Sequence, residues 1–123
     1  MAIAAQFDLE THQLDAVNAF TNSNLDEEVY IQYPDGFTDA FHCLRLLRAL
    51  YGLRRSPLLW FTDFSAILTK LGLTPVPGVE CLYTNQHLIV FFYVDDIVGL
   101  KAESFTMGSP IPEFRRPLAK IWN

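Results

Sequence analysis

Hydrophobic and polar positions along this chain fall into helical stripes and alternating runs, and one block fits neither pattern. From Leu88 to Val94 the residues are apolar without a break, Asp95 and Asp96 follow, and an apolar segment resumes at Ile97 and runs to Leu100. A run this rich in β-branched and aromatic residues predicts a strand with both faces covered, because a half-exposed strand would alternate. It is too short to span a bilayer, where two aspartates would also be costly. The block therefore predicts a buried strand, a two-residue acidic turn at Asp95-Asp96, and a returning strand.

The other blocks are more conventional. Residues 2–9 are short and alanine-rich, like the tail of a helix, and His12 to Ala16 predicts a short strand followed by a helical turn to Thr21. Ser23 precedes Asp26 at a cap-like spacing, but Val29 to Tyr33 alternates as a strand does. Pro34-Asp35-Gly36 signals a turn, and Cys43 to Leu46 predicts a second strand that closes a hairpin. Ser56-Pro57 suits an N-cap and first helical position. Beyond it Leu59, Trp60, Phe64, Ile67, Leu68 and Leu71 recur at three- and four-residue spacing, a core-facing stripe that ends at Gly72. Thr74 to Gly78 reads as a loop, and Cys81 to Thr84, the turn at Asn85-Gln86-His87 and the long apolar run form a further hairpin. The order strand–helix, hairpin, long helix, hairpin predicts an α+β fold, an antiparallel sheet with helices packed on one face.

A chain of 123 residues, half of them hydrophobic, has one modest core to bury, and its ten Phe, five Tyr and two Trp argue against disorder. Residues 101–123 change character: prolines interrupt any periodicity, and the segment reads as a divergent, loosely ordered tail after a domain at 1–100. The net charge of −5 is not the footprint of a nucleic-acid binder, although Arg45, Arg48, Arg54 and Arg55 gather into a local basic patch. Cys43 and Cys81 lack metal-ligand spacing, and the N-terminus has no signal-peptide pattern. These features suggest a reduced, intracellular chain, in cytoplasm or nucleus, with no membrane partner.

The acidic pair has two readings. Aspartate is a common turn residue because its side chain caps nearby backbone N–H groups. The alternative is a divalent cation, since Mg²⁺ prefers carboxylate oxygens and a bound ion removes the repulsion between them. That alternative needs a third carboxylate, and Asp15 ends the first predicted strand. If the strands are neighbours, three acids converge as a two-metal phosphoryl-transfer site requires.

An ordered set of motifs adds to this. Gln13-Leu14-Asp15-Ala16-Val17-Asn18-Ala19-Phe20, Leu25 to Tyr30, Pro34-Asp35-Gly36-Phe37, Ala49-Leu50-Tyr51-Gly52-Leu53-Arg54-Arg55-Ser56-Pro57, Trp60 and Tyr93-Val94-Asp95-Asp96 resemble the reverse transcriptase of copia-type LTR retrotransposons, over roughly residues 2–100. The resemblance implies a polymerase palm without fingers or thumb, and RNA-directed DNA polymerisation with two Mg²⁺ ions, for which Mn²⁺ can substitute. Asp15, Asp95 and Asp96 would be the catalytic, metal-binding acids, and the carbonyl of Ala16 would add a ligand. Phe20 would stand where the family disfavours a ribose 2′-OH, or it is a core aromatic. Tyr93 would pack near the primer terminus. Arg54 and Arg55 would meet phosphates of template or nucleotide, or form a solvated helix start.

The chain departs from the family's usual Lys-Gln at Arg54-Arg55, and from its frequent Arg at Leu58. The partners implied are a template-primer nucleic acid and a deoxynucleoside triphosphate, with self-association through exposed palm surface as a further expectation. The alternative function is a non-catalytic retroelement remnant, a small α+β module that binds a metal or a partner.

Overall fold

The computed structural model describes residues 2–37 and 42–102. In chain order these form α1 (Ala2–Gln6), β1 (Leu9–Asp15), a 3₁₀ turn (Ala19–Asn22), β2 (Asn24–Gln32), β3 (Cys43–Arg48), α2 (Ser56–Lys70), β4 (Thr74–Pro75), β5 (Leu82–Thr84), β6 (Leu88–Tyr93) and β7 (Asp96–Ala102). β2 and β3 make a separate two-stranded ribbon, and the other strands form a five-stranded antiparallel sheet in the order β1-β7-β6-β5-β4. The architecture is α+β, as the order of hydrophobic blocks implied. Past Ala102, the expectation of a loose tail lies outside the described residues.

The core forms where α2 meets the sheet. Trp60, Phe64 and Leu68, spaced four apart, are buried, and they lie in one cluster with Val90, Phe92 and Ile97 from the two central strands. Phe92 is the hub. It meets Phe64 edge to face with ring centroids 4.7 Å apart, and it also contacts the rings of Phe61 and Tyr83. Such aromatic pairs add specific geometry to the large apolar area they bury.

Both ends of α2 follow from local chemistry, one of them unexpectedly. At the C-terminus Gly72 adopts φ +80°. Its N–H bonds the Thr69 carbonyl (3.0 Å), and the N–H of Leu73 bonds that of Leu68 (3.1 Å). This double closure satisfies carbonyls the helix leaves open and sets two buried leucines together. At the N-terminus the expected cap at Ser56 is not found. The cap position is Arg55, without a side-chain cap bond, and Ser56 is already helical. Ser56 is wholly buried, and its hydroxyl donates instead to the Leu50 carbonyl at 2.6 Å. A buried hydroxyl takes the nearest acceptor, here the loop that enters the helix.

Three further expectations are corrected. β6 is covered on one face only: Val90 and Phe92 are buried, whereas Phe91 and Tyr93 are 46% and 70% exposed. A continuous apolar run cannot distinguish a strand sandwiched by helices from one whose outer face carries aromatics, and α2 packs on one face. Thr74-Pro75, expected in a loop, pairs with Tyr83 and Thr84 as the outermost strand, a position where proline is tolerated because no donor is needed on its far side. The turn between β6 and β7 is Val94-Asp95 rather than Asp95-Asp96, because Tyr93 pairs with Asp96.

The covered and open faces of β6 should respond differently to substitution. Phe64→Ala is expected to lower unfolding free energy by about 3–5 kcal/mol in urea titration. Phe91→Thr, on the open face and with β propensity kept, should change it by less than about 1 kcal/mol.

Candidate active site

The Val94-Asp95 turn is held in an unfavourable conformation by contacts from three directions. Val94 has φ +55° while Asp95 is not among the residues of positive φ, the pattern of a II′ hairpin turn, whose first central position normally takes glycine. A β-branched residue there is strained, and such strain persists only where surroundings impose it. The N–H of Ala16, just past the end of β1, donates to the Asp95 carbonyl at 2.8 Å. The indole N–H of Trp60 reaches out of the core to the Val94 carbonyl at 2.5 Å. The phenol of Tyr51 donates to Asp95 Oδ2 at 3.3 Å.

These contacts decide where each expected residue lies. Asp15 ends β1 directly opposite Asp96, which in turn lies opposite Tyr93, so side chains from three adjacent strands share one row. Asp15 and Asp96 are exposed and Asp95 is half-buried in the adjoining turn. The register thus brings the three acids to one end of the sheet. Among the described residues, however, no three His, Cys, Asp or Glu side chains stand close enough to enclose an ion. Neither Asp95 nor Asp96 has an ion pair with a described residue.

Around this row stand the other expected residues. Ala16 is buried, and Phe20 is buried in the 3₁₀ turn with its ring against Tyr51, centroids 4.4 Å apart. Tyr93 points into solvent at the end of β6. Arg54 is exposed and has no ion pair among the described residues. Arg55 is engaged elsewhere: its Nε donates to Asp26 Oδ1 at 3.2 Å and a terminal nitrogen donates to Oδ2, tying the start of α2 to β2. Hydrogen bonding to Arg55 is the main reason the Asp26 carboxyl lies below its usual 3.8.

Sequence reading did not single out Tyr51 individually. It lies in an irregular loop, where periodicity carries no signal, and its partner Asp95 is 44 positions away. Its phenol is pushed above the usual 10.0, first by shielding from water, then by the charge of Asp95, the bond to it, and the charge of Asp15. At neutral pH Tyr51 is therefore a hydrogen donor facing two carboxylates.

Two outcomes follow. Trp60→Phe keeps the apolar bulk but leaves the Val94 carbonyl without its donor, and should cost about 1–3 kcal/mol in urea unfolding. The depressed Asp26 carboxyl contributes stability above its ordinary 3.8 that is lost as pH falls through the lower folded value. Asp26→Asn should accordingly melt below the parent chain near pH 6, and the gap should narrow as pH falls below 3.8 in thermal scans.

Comparison with known proteins agrees with the order of motifs. A family model described as reverse transcriptase (RNA-dependent DNA polymerase) matches residues 1–122. The retrovirus-related Pol polyprotein from transposon TNT 1-94 of Nicotiana tabacum is 32% identical over 106 residues, covering 80% of this chain and 8% of the relative. The corresponding polyprotein from transposon RE2 of Arabidopsis thaliana is 30% identical over 105 residues, covering 80% and 7%. The transposon Ty1-BL Gag-Pol polyprotein of Saccharomyces cerevisiae is 29% identical over 99 residues, covering 80% and 6%. No solved structure matches. The chain spans less than a tenth of the length of these relatives. No described helix is long and apolar enough to cross a membrane. With its Asp15 and Tyr93-Val94-Asp95-Asp96 segments side by side, the chain belongs to the reverse transcriptase (RNA-dependent DNA polymerase) family found in the Pol polyproteins of copia-type transposons.

Proposed function

We propose that the acidic end of the β1-β7-β6 sheet is the nucleotidyl-transfer centre of a polymerase palm, of which this chain forms a part. The observation that carries the reading is the register: Asp15 faces Asp96, and Asp95 occupies the turn beside them. Hard carboxylate oxygens suit Mg²⁺, and three like charges at one sheet end create repulsion that a divalent ion relieves. In donor type the residues suit such ions, and the strand register sets them at one sheet end, although as they stand they do not enclose one. Asp15, Asp95 and Asp96 would hold them, with the Ala16 carbonyl as a further oxygen. Bound there, Mg²⁺ would activate a primer 3′-OH and offset charge on the transferring phosphoryl group.

The remaining residues would position the reactants. Phosphoryl transfer depends mainly on such positioning and on charge stabilisation. Phe20, packed against Tyr51, would limit space beside the sugar of a deoxynucleoside triphosphate. Tyr93 on the open face would support the primer terminus of a template-primer duplex. Arg54 is available to phosphate oxygens, whereas Arg55 reaches one only by leaving Asp26.

A second reading draws on the open face, where Phe91 and Tyr93 are exposed. There the chain is a non-catalytic α+β module that meets a protein partner or a second copy through that surface. Primer extension on an RNA template separates the two. The polymerase reading expects Mg²⁺-dependent extension that Asp95→Asn abolishes. Mn²⁺ binding without extension would favour the non-catalytic module with its metal site kept, and absence of Mn²⁺ binding would remove the metal centre.

A further inference from the structure

The two outer strands of the five-stranded sheet differ in kind. β4 is two residues long and contains Pro75, features that blunt an edge. β1 is seven residues long, carries neither proline nor lysine, and pairs with β7 without a register shift. Glu10 to Gln13, in its middle, are all exposed. The bond from the Ala16 N–H to the Asp95 carbonyl (2.8 Å) sets the phase of the ladder. Alternate residues of an antiparallel strand bond a given neighbour, so Glu10, His12 and Leu14 turn their backbone groups to β7. Leu9, Thr11, Gln13 and Asp15 turn theirs outward, and no described strand takes them up.

We propose that this edge is an interface between two copies of the chain, β1 pairing antiparallel with β1 about a two-fold axis at His12. The strand is self-complementary about that residue. An axis perpendicular to the sheet keeps residues of one face opposite residues of the same face, and centring it on His12 is the choice that pairs all seven. Leu9 then opposes Asp15, Glu10 opposes Leu14 and Thr11 opposes Gln13, so no carboxylate meets another. The outward residues of one copy meet those of the other, and each backbone donor finds an acceptor. His12, whose Nε2 lies 3.2 Å from its own Glu10, stands diagonal to Glu10 of the second copy. The open faces of the two sheets lie on the same side of the join, with their acidic rows at opposite ends. The proposal is independent of the metal-centre reading.

The test is sedimentation equilibrium of the full chain over a range of concentrations, for the parent, Thr11→Pro and Phe91→Thr. The parent should pass from monomer to dimer. Proline at position 11 removes an outward donor and spares the ladder with β7. Thr11→Pro should therefore raise the dimer dissociation constant by about tenfold or more, and Phe91→Thr should leave it unchanged. A parent that stays monomeric, or a dimer that Thr11→Pro leaves intact, overturns the inference. In the second case, loss of the dimer with Phe91→Thr would place the contact on the open face.

The register is read by His12→Cys in a chain whose Cys43 and Cys81 are replaced by serine. Facing residues of a non-hydrogen-bonded pair have Cα atoms about 4.5 Å apart, within disulfide reach. Oxidation should link His12→Cys chains in pairs and leave Gln13→Cys chains unlinked, and the reverse would overturn the pairing. Should Thr11→Pro fail to fold, amide exchange of the parent supplies the readout. The Thr11 and Gln13 N–H groups should gain protection as concentration rises, while that of Tyr30 on β2 does not. Protection of both in a monomer, at every concentration, would assign the edge to another segment of the same chain and overturn the inference.

Discussion

The bond from the Trp60 indole to the Val94 carbonyl joins the two halves of this molecule, the apolar core and the acidic turn. Trp60 is one of the side chains by which α2 grips the sheet, stacked on Phe64, which in turn meets Phe92. The same side chain holds a valine at φ +55°, a conformation valine avoids when left to itself. Packing energy in the core is thereby applied to a turn that would otherwise relax. It adds to the tie that the Ala16 N–H already makes between Asp95 and the end of β1. The strain and the bond that imposes it sit next to the residues proposed to do chemistry, where such strain is commonly found.

Much of this was legible in the chain itself. The stripe from Leu59 to Leu71 named the helix and its buried face, because a period near 3.6 has one physical meaning for a helix on a sheet. Gly72 marked its end for an equally local reason. Long-range facts were less visible. That Asp15 and Asp96 are register partners depends on the pairing of β1 with β7, which no spacing encodes. The exposure of Phe91 and Tyr93 was not readable either, since an apolar run is silent about what covers it. Tyr51 stood out only as part of a motif segment, with no sign of its bond to Asp95, because a loop residue has no period, and Arg55 pairs with Asp26 across the fold instead of remaining a solvated charge.

Electrostatics and shape divide the surface. The three aspartates stand at one end of the open face, and the ordered guanidinium pairs, Arg55 with Asp26 and Arg45 with Glu28, lie with the β2-β3 ribbon. These two pairs fix that ribbon and its link to α2. Part of the net charge of −5 thus gathers at that end of the sheet, and Arg54 remains exposed at the start of the helix.

Among the described strands β1 is the outermost on its side of the sheet, with β7 as its one neighbour. Asp15 therefore ends an edge strand, while Asp96 opens β7 and Asp95 sits in the turn that joins β7 to β6. Amide protons along β1 would exchange with solvent through local fraying that leaves Phe92 and its aromatic neighbours untouched. The acidic row is consequently less durable than the fold that carries it, and warming should dismantle the cluster of charges well before the chain melts.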